Sequence, residues 1–91
     1  MDLISRRLQI QNKLGLHARA ASVFVKTAGA FASQITVRSP TKEANGKSIM
    51  SMMMLEAALG SEVEVEVAGS DETQAMAAIE KLIADRFGED E

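Results

Sequence analysis

Apolar residues at Ile4, Leu8 and Ile10, with Arg6 interrupting, follow a period of two that predicts a first strand with one wet face. The turn Asn12-Lys13-Leu14-Gly15 ends it. Beyond the turn the spacing changes. Ala18, Ala21, Phe24, Val25 and Ala28 recur every three or four positions before Gly29, which predicts a helix of about three turns starting at or beside His17. Ile35 and Val37, among polar Gln34, Thr36 and Arg38, predict a second strand that breaks at Ser39-Pro40, where proline removes a ladder donor. A weaker third strand is expected over Lys42 to Ala44. After the Asn45-Gly46 turn, the composition from Ser48 through Leu59 predicts a second helix that closes at Gly60.

The segment Glu62 to Val67 alternates acid and valine without a fault. Val63, Val65 and Val67 must face a core while Glu62, Glu64 and Glu66 face water, so helices can cover only one side of the sheet. Ser70 or Asp71 is placed to cap a last helix whose apolar stripe is Met76, Ile79, Leu82 and Ile83, with Phe87 continuing it and Gly88 ending it. The expected fold is α+β: a two-layer open-faced sandwich with a four-stranded, mainly antiparallel sheet and three helices on one face. Residues 1–88 form the single domain, and Glu89-Asp90-Glu91 is expected to be a frayed acidic tail.

Composition narrows the chemistry. The 91-residue chain has no cysteine, which removes disulfides, thiol catalysis and Cys-ligated zinc or iron–sulfur sites. With a single histidine, no typical transition-metal site is expected and no cofactor is required, although carboxylates remain as ligands for magnesium or calcium. One histidine still permits a Ser-His-Asp hydrolase, cramped at this length. A net charge of −3, no Lys/Arg run and 3% aromatic residues argue against a nucleic-acid partner. No signal-peptide core and no stretch of about 20 apolar residues appears, so a cytoplasmic protein without membrane insertion is expected.

His17 sits where the turn meets the helix, in Gly15-Leu16-His17-Ala18-Arg19. The first N–H groups of a helix have no intrahelical partner and the macrodipole there is positive, so the position favours an anion such as phosphate. The same field disfavours the imidazolium and keeps the ring in its neutral, nucleophilic form. Arg19 can fold its guanidinium toward the same oxygens. A cation in the first turn opposes the dipole unless an anion is near, and Asn12 and Gly15 shape the turn that presents the ring. A surface or capping histidine, a solvated arginine and plain turn residues are the bland readings of the same positions.

The run Asn12-Lys13-Leu14-Gly15-Leu16-His17-Ala18-Arg19 resembles the active-site signature of the HPr family, the histidine-containing phosphocarriers of the bacterial phosphoenolpyruvate-dependent phosphotransferase system, with its nitrogen-branch paralogues. The likeness extends through Asn45-Gly46-Lys47-Ser48-Ile49-Met50, which resembles the family's regulatory serine segment. It implies a phosphoryl carrier rather than a stand-alone enzyme. His17 would accept a phosphoryl group on Nδ1 from phosphorylated enzyme I and pass it to EIIA domains of sugar permeases, with Asn12, Ala18 and Arg19 at the phosphate. It also implies that Ser48 is phosphorylated by an HPr kinase/phosphorylase in organisms that have one. The family pattern has proline where this chain has Ala20, a change expected to cost the cap roughly 0.5 kcal/mol in rigidity and no phosphate ligand.

Ser48 is also an ordinary N-cap for the helix that follows. That helix carries Ile49, Met50, Met52, Met53, Met54, Leu55 and Leu59, too many apolar residues for one core-facing stripe. Met52, Leu55 and Leu59 are assigned to the core, and Ile49, Met50 and Met53 to an exposed, adaptable docking patch. By resemblance, Leu16 and Ala20 around the histidine join that docking surface. A monomer is expected. Alternatives are the nitrogen-branch carrier, a non-catalytic docking module of the same fold, and a ferredoxin-like nucleic-acid binder, the last opposed by the outward glutamates.

Overall fold

A computed structural model describes residues 3–91. The elements are β1 (Ile4–Gln9), α1 (Ala18–Gly29), β2 (Gln34–Arg38), β3 (Glu43–Asn45), α2 (Ile49–Met54), β4 (Glu62–Ala68) and α3 (Glu72–Ala84), followed by a 3-10 turn over Arg86–Gly88. The strands form one sheet in the order β1-β4-β2-β3, antiparallel at every step. This is the two-layer α+β fold expected from the pattern.

β4 is one of the two interior strands, paired with β1 on one side and β2 on the other, and it alternates buried and more exposed positions over its length. Its register pairs Val67 with Ile4 and Ile35, and Val65 with Val37, so apolar residues stack on one face. Val63, Val65 and Val67 are buried in one core with Phe24 and Ala28 of α1, Met52 of α2, and Met76, Ile79 and Ile83 of α3. Each valine contributes about 1.5–3 kcal/mol by leaving water, and a slip of one residue would turn all three outward. On the opposite face the β4 glutamates are tied to β2 and β3 by Arg38, which bonds Glu43 at 2.7 Å, lies 3.5 Å from Glu64, and also bonds Glu66.

Three sequence expectations are corrected. First, α2 ends at Met54 instead of running to Leu59. Leu55 is its C-cap, Glu56 turns to φ +52°, and the following residues pair elsewhere: Ala57 O accepts from Leu16 N and Gly60 N donates to Ile10 O, both at 2.9 Å. Leu59, assigned to the core, is therefore exposed on this loop, whereas Met52 and Leu55 are buried as expected. Second, α3 stops at Ala84, and Arg86, Phe87 and Gly88 all take positive φ. Phe87 reaches the core from this reversal and not as a continuation of the helix stripe.

Third, Asp71 stands at the N-cap of α3 without capping it. Its carboxylate reaches across to the α1–β2 turn, where Oδ2 accepts from Ala32 N (2.8 Å) and Oδ1 from Ser33 N (2.9 Å) and from the Ser33 hydroxyl. Ser33 is fully buried, and the chain at Gly69 approaches so closely that a Cβ there would lie 2.6 Å from Ser33 Cα. The Ser33 hydroxyl bond, followed by the backbone bonds, holds the Asp71 carboxyl below its ordinary 3.8. A depressed folded pKa stabilises the protein above the unfolded value, and that stability is lost as pH falls through the folded one. Asp71→Asn is therefore expected to be less stable than the wild type at pH 7. Urea unfolding should show the gap narrowing as pH falls below about 4, and a gap independent of pH would refute the ionic part.

Candidate functional site

The turn between β1 and α1 places His17. Asn12 is fully buried, and its Nδ2 donates to Gly15 O at 2.8 Å, while Gly15 N donates to Asn12 O at 3.2 Å. Gly15 has φ +65°, and a Cβ there would meet Ala57 O at 2.3 Å, so the turn closes on the loop after α2 only with glycine. Leu16 N donates to Ala57 O and locks the two loops together. Leu16 (5% exposed) and Ala20 (0%) are consequently buried, which corrects their expected place on a docking surface. Both belong to the hydrophobic core.

His17 is the N-cap residue of α1, yet its ring makes no capping bond. The first intrahelical bond is Ala21 N to His17 O, so the amides of Ala18, Arg19 and Ala20 precede the helical ladder. The ring is 28% exposed and its Nε2 lies 2.6 Å from Glu89 Oε2. The same oxygen accepts from Arg19 Nη1 at 3.1 Å, and the other, Oε1, accepts from Asn12 Nδ2 at 2.9 Å. Arg19 thus has the neighbouring anion that its position in the helix asks for, and that anion is a carboxylate of the chain itself.

Glu89 was not legible as a site residue. It is bonded rather than frayed: the reversal at Arg86–Gly88 brings the chain back, and Lys13 N donates to Glu91 O at 3.0 Å. Partial burial, the largest influence on the Glu89 carboxyl, pushes its pKa up. Bonds from Asn12, His17 and Arg19 together outweigh that and hold it below its ordinary 4.5. An ionised carboxylate can only accept, so the hydrogen in the contact with His17 belongs to Nε2. In the neutral ring Nδ1 then carries the lone pair, and among the described residues it has no bonding partner.

Asn12, expected at the phosphate, donates its Nδ2 hydrogens to Gly15 O and to Glu89, and so ties the turn to the carboxylate that contacts the ring. His17, Arg19 and Glu89, with Lys13 and Leu14, line an open cavity of about 520 Å3. Ser48 lies apart from this cavity at the N-cap of α2, where its hydroxyl accepts from Ser51 N at 3.3 Å. Ile49, Met50 and Met53 are exposed, as expected, and so are Met54 and Leu14. Among the described residues no cluster of His, Asp and Glu is arranged to hold a metal ion, and no helix is long and apolar enough to cross a membrane.

Residues 4–85 match the family model described as the PTS HPr component phosphorylation site. The phosphocarrier protein HPr of Neisseria meningitidis serogroup A is 47% identical over 89 residues, covering 98% of this chain and 100% of that protein. The phosphocarrier protein HPr of Pseudomonas putida is 48% identical over 88 residues, covering 96% and 98%. The crystal structure of HPr-C-His from Thermoanaerobacter tengcongensis superposes with a TM-score of 0.89 at 43% identity, covering 100% of both chains.

Proposed function

The chain belongs to the HPr family of phosphotransferase-system phosphocarriers, and from that premise we propose that Nδ1 of His17 accepts a phosphoryl group from phosphorylated enzyme I and passes it to EIIA domains. The observation that carries this reading is the bond from His17 Nε2 to Glu89, which leaves the lone pair of the neutral ring on Nδ1, in a partly exposed residue at the N-cap of α1. In the transfer, the P–N bond of the donor phosphohistidine breaks as the Nδ1–P bond forms in line, and no cofactor is needed. Arg19 is free to turn from Glu89 to the phosphoryl oxygens, joined by the amides at the start of α1.

Incubation with enzyme I and phosphoenolpyruvate tests the proposal. Intact-mass spectrometry should show one added phosphoryl group that is lost in acid, and no addition would reject the carrier reading.

Glu89 acts here as a positioning residue for the tautomer. Nitrogen-15 NMR of the ring should show the Nε2–H form dominating the neutral wild type and a mixture in Glu89→Ala, with the transfer rate severalfold lower in the variant. A wild-type ring protonated mainly on Nδ1 would contradict this assignment.

Ser48 supports a second, regulatory role by resemblance, as the residue an HPr kinase/phosphorylase would modify. A phosphate at a helix N-terminus is compatible with the fold and adds about −1.5 to −2 charge near the docking face. Ser48→Asp is expected to keep the thermal midpoint and to slow acceptance from enzyme I by repulsion. Equal rates would leave Ser48 as a cap only. Docking itself falls to Ile49, Met50 and Met53, whose exposed apolar surface suits weak binding to several partners.

A further inference from the structure

Four of the six residues of α2 are methionine, and the fold divides them sharply. Met50 is 71% exposed, Met54 60% and Met53 37%, whereas Met52 is 0% exposed and Met76, on α3, is 2%. One short helix therefore displays three accessible thioethers beside two shielded ones in the same molecule. α2 packs against α1, and the loop that follows it is bonded to the turn that carries His17 through Leu16 N and Ala57 O, so the methionine helix adjoins the elements that present the histidine.

We propose that Met50, Met53 and Met54 form a reversible sulfoxidation site that switches partner docking in response to peroxides. The sulfur lone pair attacks one peroxide oxygen, the O–O bond breaks, and an S–O bond forms. The thioether is oxidised to the sulfoxide, and hydrogen peroxide is reduced to water, its departing hydroxide taking up the proton released from the transferred oxygen. Each event replaces a soft apolar contact with a strong dipole whose oxygen loses its water on docking. Methionine sulfoxide reductases of both stereochemical classes restore the thioether. The fold survives because the two core methionines are out of reach. The effect on docking rests on the carrier reading above, whereas the selectivity of oxidation does not.

The test treats the full-length protein with hydrogen peroxide and maps oxygen addition by peptide mass spectrometry over time. Met50 and Met54 are expected to oxidise first, Met53 next, and Met52 and Met76 only under denaturing conditions. Phosphoryl acceptance from enzyme I should then fall about tenfold, as expected for burying unpaired polar oxygen at an interface, and recover after incubation with the two reductases. In Met50→Leu/Met53→Leu/Met54→Leu, the rate, whatever its untreated value, should be insensitive to peroxide. Oxidation of Met52 or Met76 at the pace of the other three would refute the site. An unchanged rate after full oxidation of Met50, Met53 and Met54, or equal peroxide sensitivity in the triple variant, would refute the switch. Failure of the untreated wild type to accept a phosphoryl group would reject the carrier reading, and with it the docking switch, while the oxidation map decides the modification site separately.

Discussion

His17→Ala is expected to take up no phosphoryl group from phosphorylated enzyme I while unfolding at close to the wild-type temperature. The chain has no other histidine, so no second ring can substitute. The ring is partly exposed and does not cap α1, so its removal leaves the helix bonds intact. It does remove one of the three donors to Glu89, whose remaining bonds to Asn12 and Arg19 hold the carboxylate in place. Mass spectrometry after incubation with enzyme I and phosphoenolpyruvate reads the first half of this result, and circular dichroism on heating reads the second. Phosphate retained by the variant in an acid-labile form would move the acceptor elsewhere.

Gly15→Ala is expected to damage stability and transfer together. The left-handed φ of +65° penalises any side chain, and the added methyl would lie 2.3 Å from Ala57 O, far inside contact distance. The turn must then open, breaking the adjacent Leu16–Ala57 bond and uncovering Leu16, for a loss of about 2–4 kcal/mol. Because that turn aims His17, acceptance of phosphate should fall by at least tenfold in the fraction that remains folded. Urea unfolding and the enzyme I assay on the same preparation check both effects. A variant of wild-type stability would mean that the two loops do not depend on each other.

The sheet and its buried face were legible because β4 states them locally: valine and glutamate alternate, and only one register keeps the valines dry. His17 and Arg19 were legible for a similar reason, since a turn followed by a helix start is written in adjacent residues. The length of α2 was not, because Leu55, Glu56 and Ala57 have helical composition yet leave the helix, and Ala57 bonds Leu16, forty-one residues away in the chain. Composition also misplaced Leu59, which no local pattern separates from a core leucine. Glu89 was the largest omission. Its route to His17 runs through left-handed Arg86 and Phe87, conformations without a glycine to signal them, held by burial of Phe87. A carboxylate that acts through a reversal of the chain reads, from its neighbours alone, as a solvated tail.

The sheet order β1-β4-β2-β3 also fixes when the site can exist during synthesis. β1 leaves the ribosome first and must wait for β4, more than fifty residues later, before either of its edges is paired. Until then the turn bearing His17 hangs on an unpaired strand, and Glu89 emerges later still. Long-range pairing of this kind slows folding. Nascent chains halted before Ala68 are therefore expected to carry His17 without the geometry around it, so that phosphoryl acceptance begins only once β1 has paired with β4 and Glu89 has reached the ring.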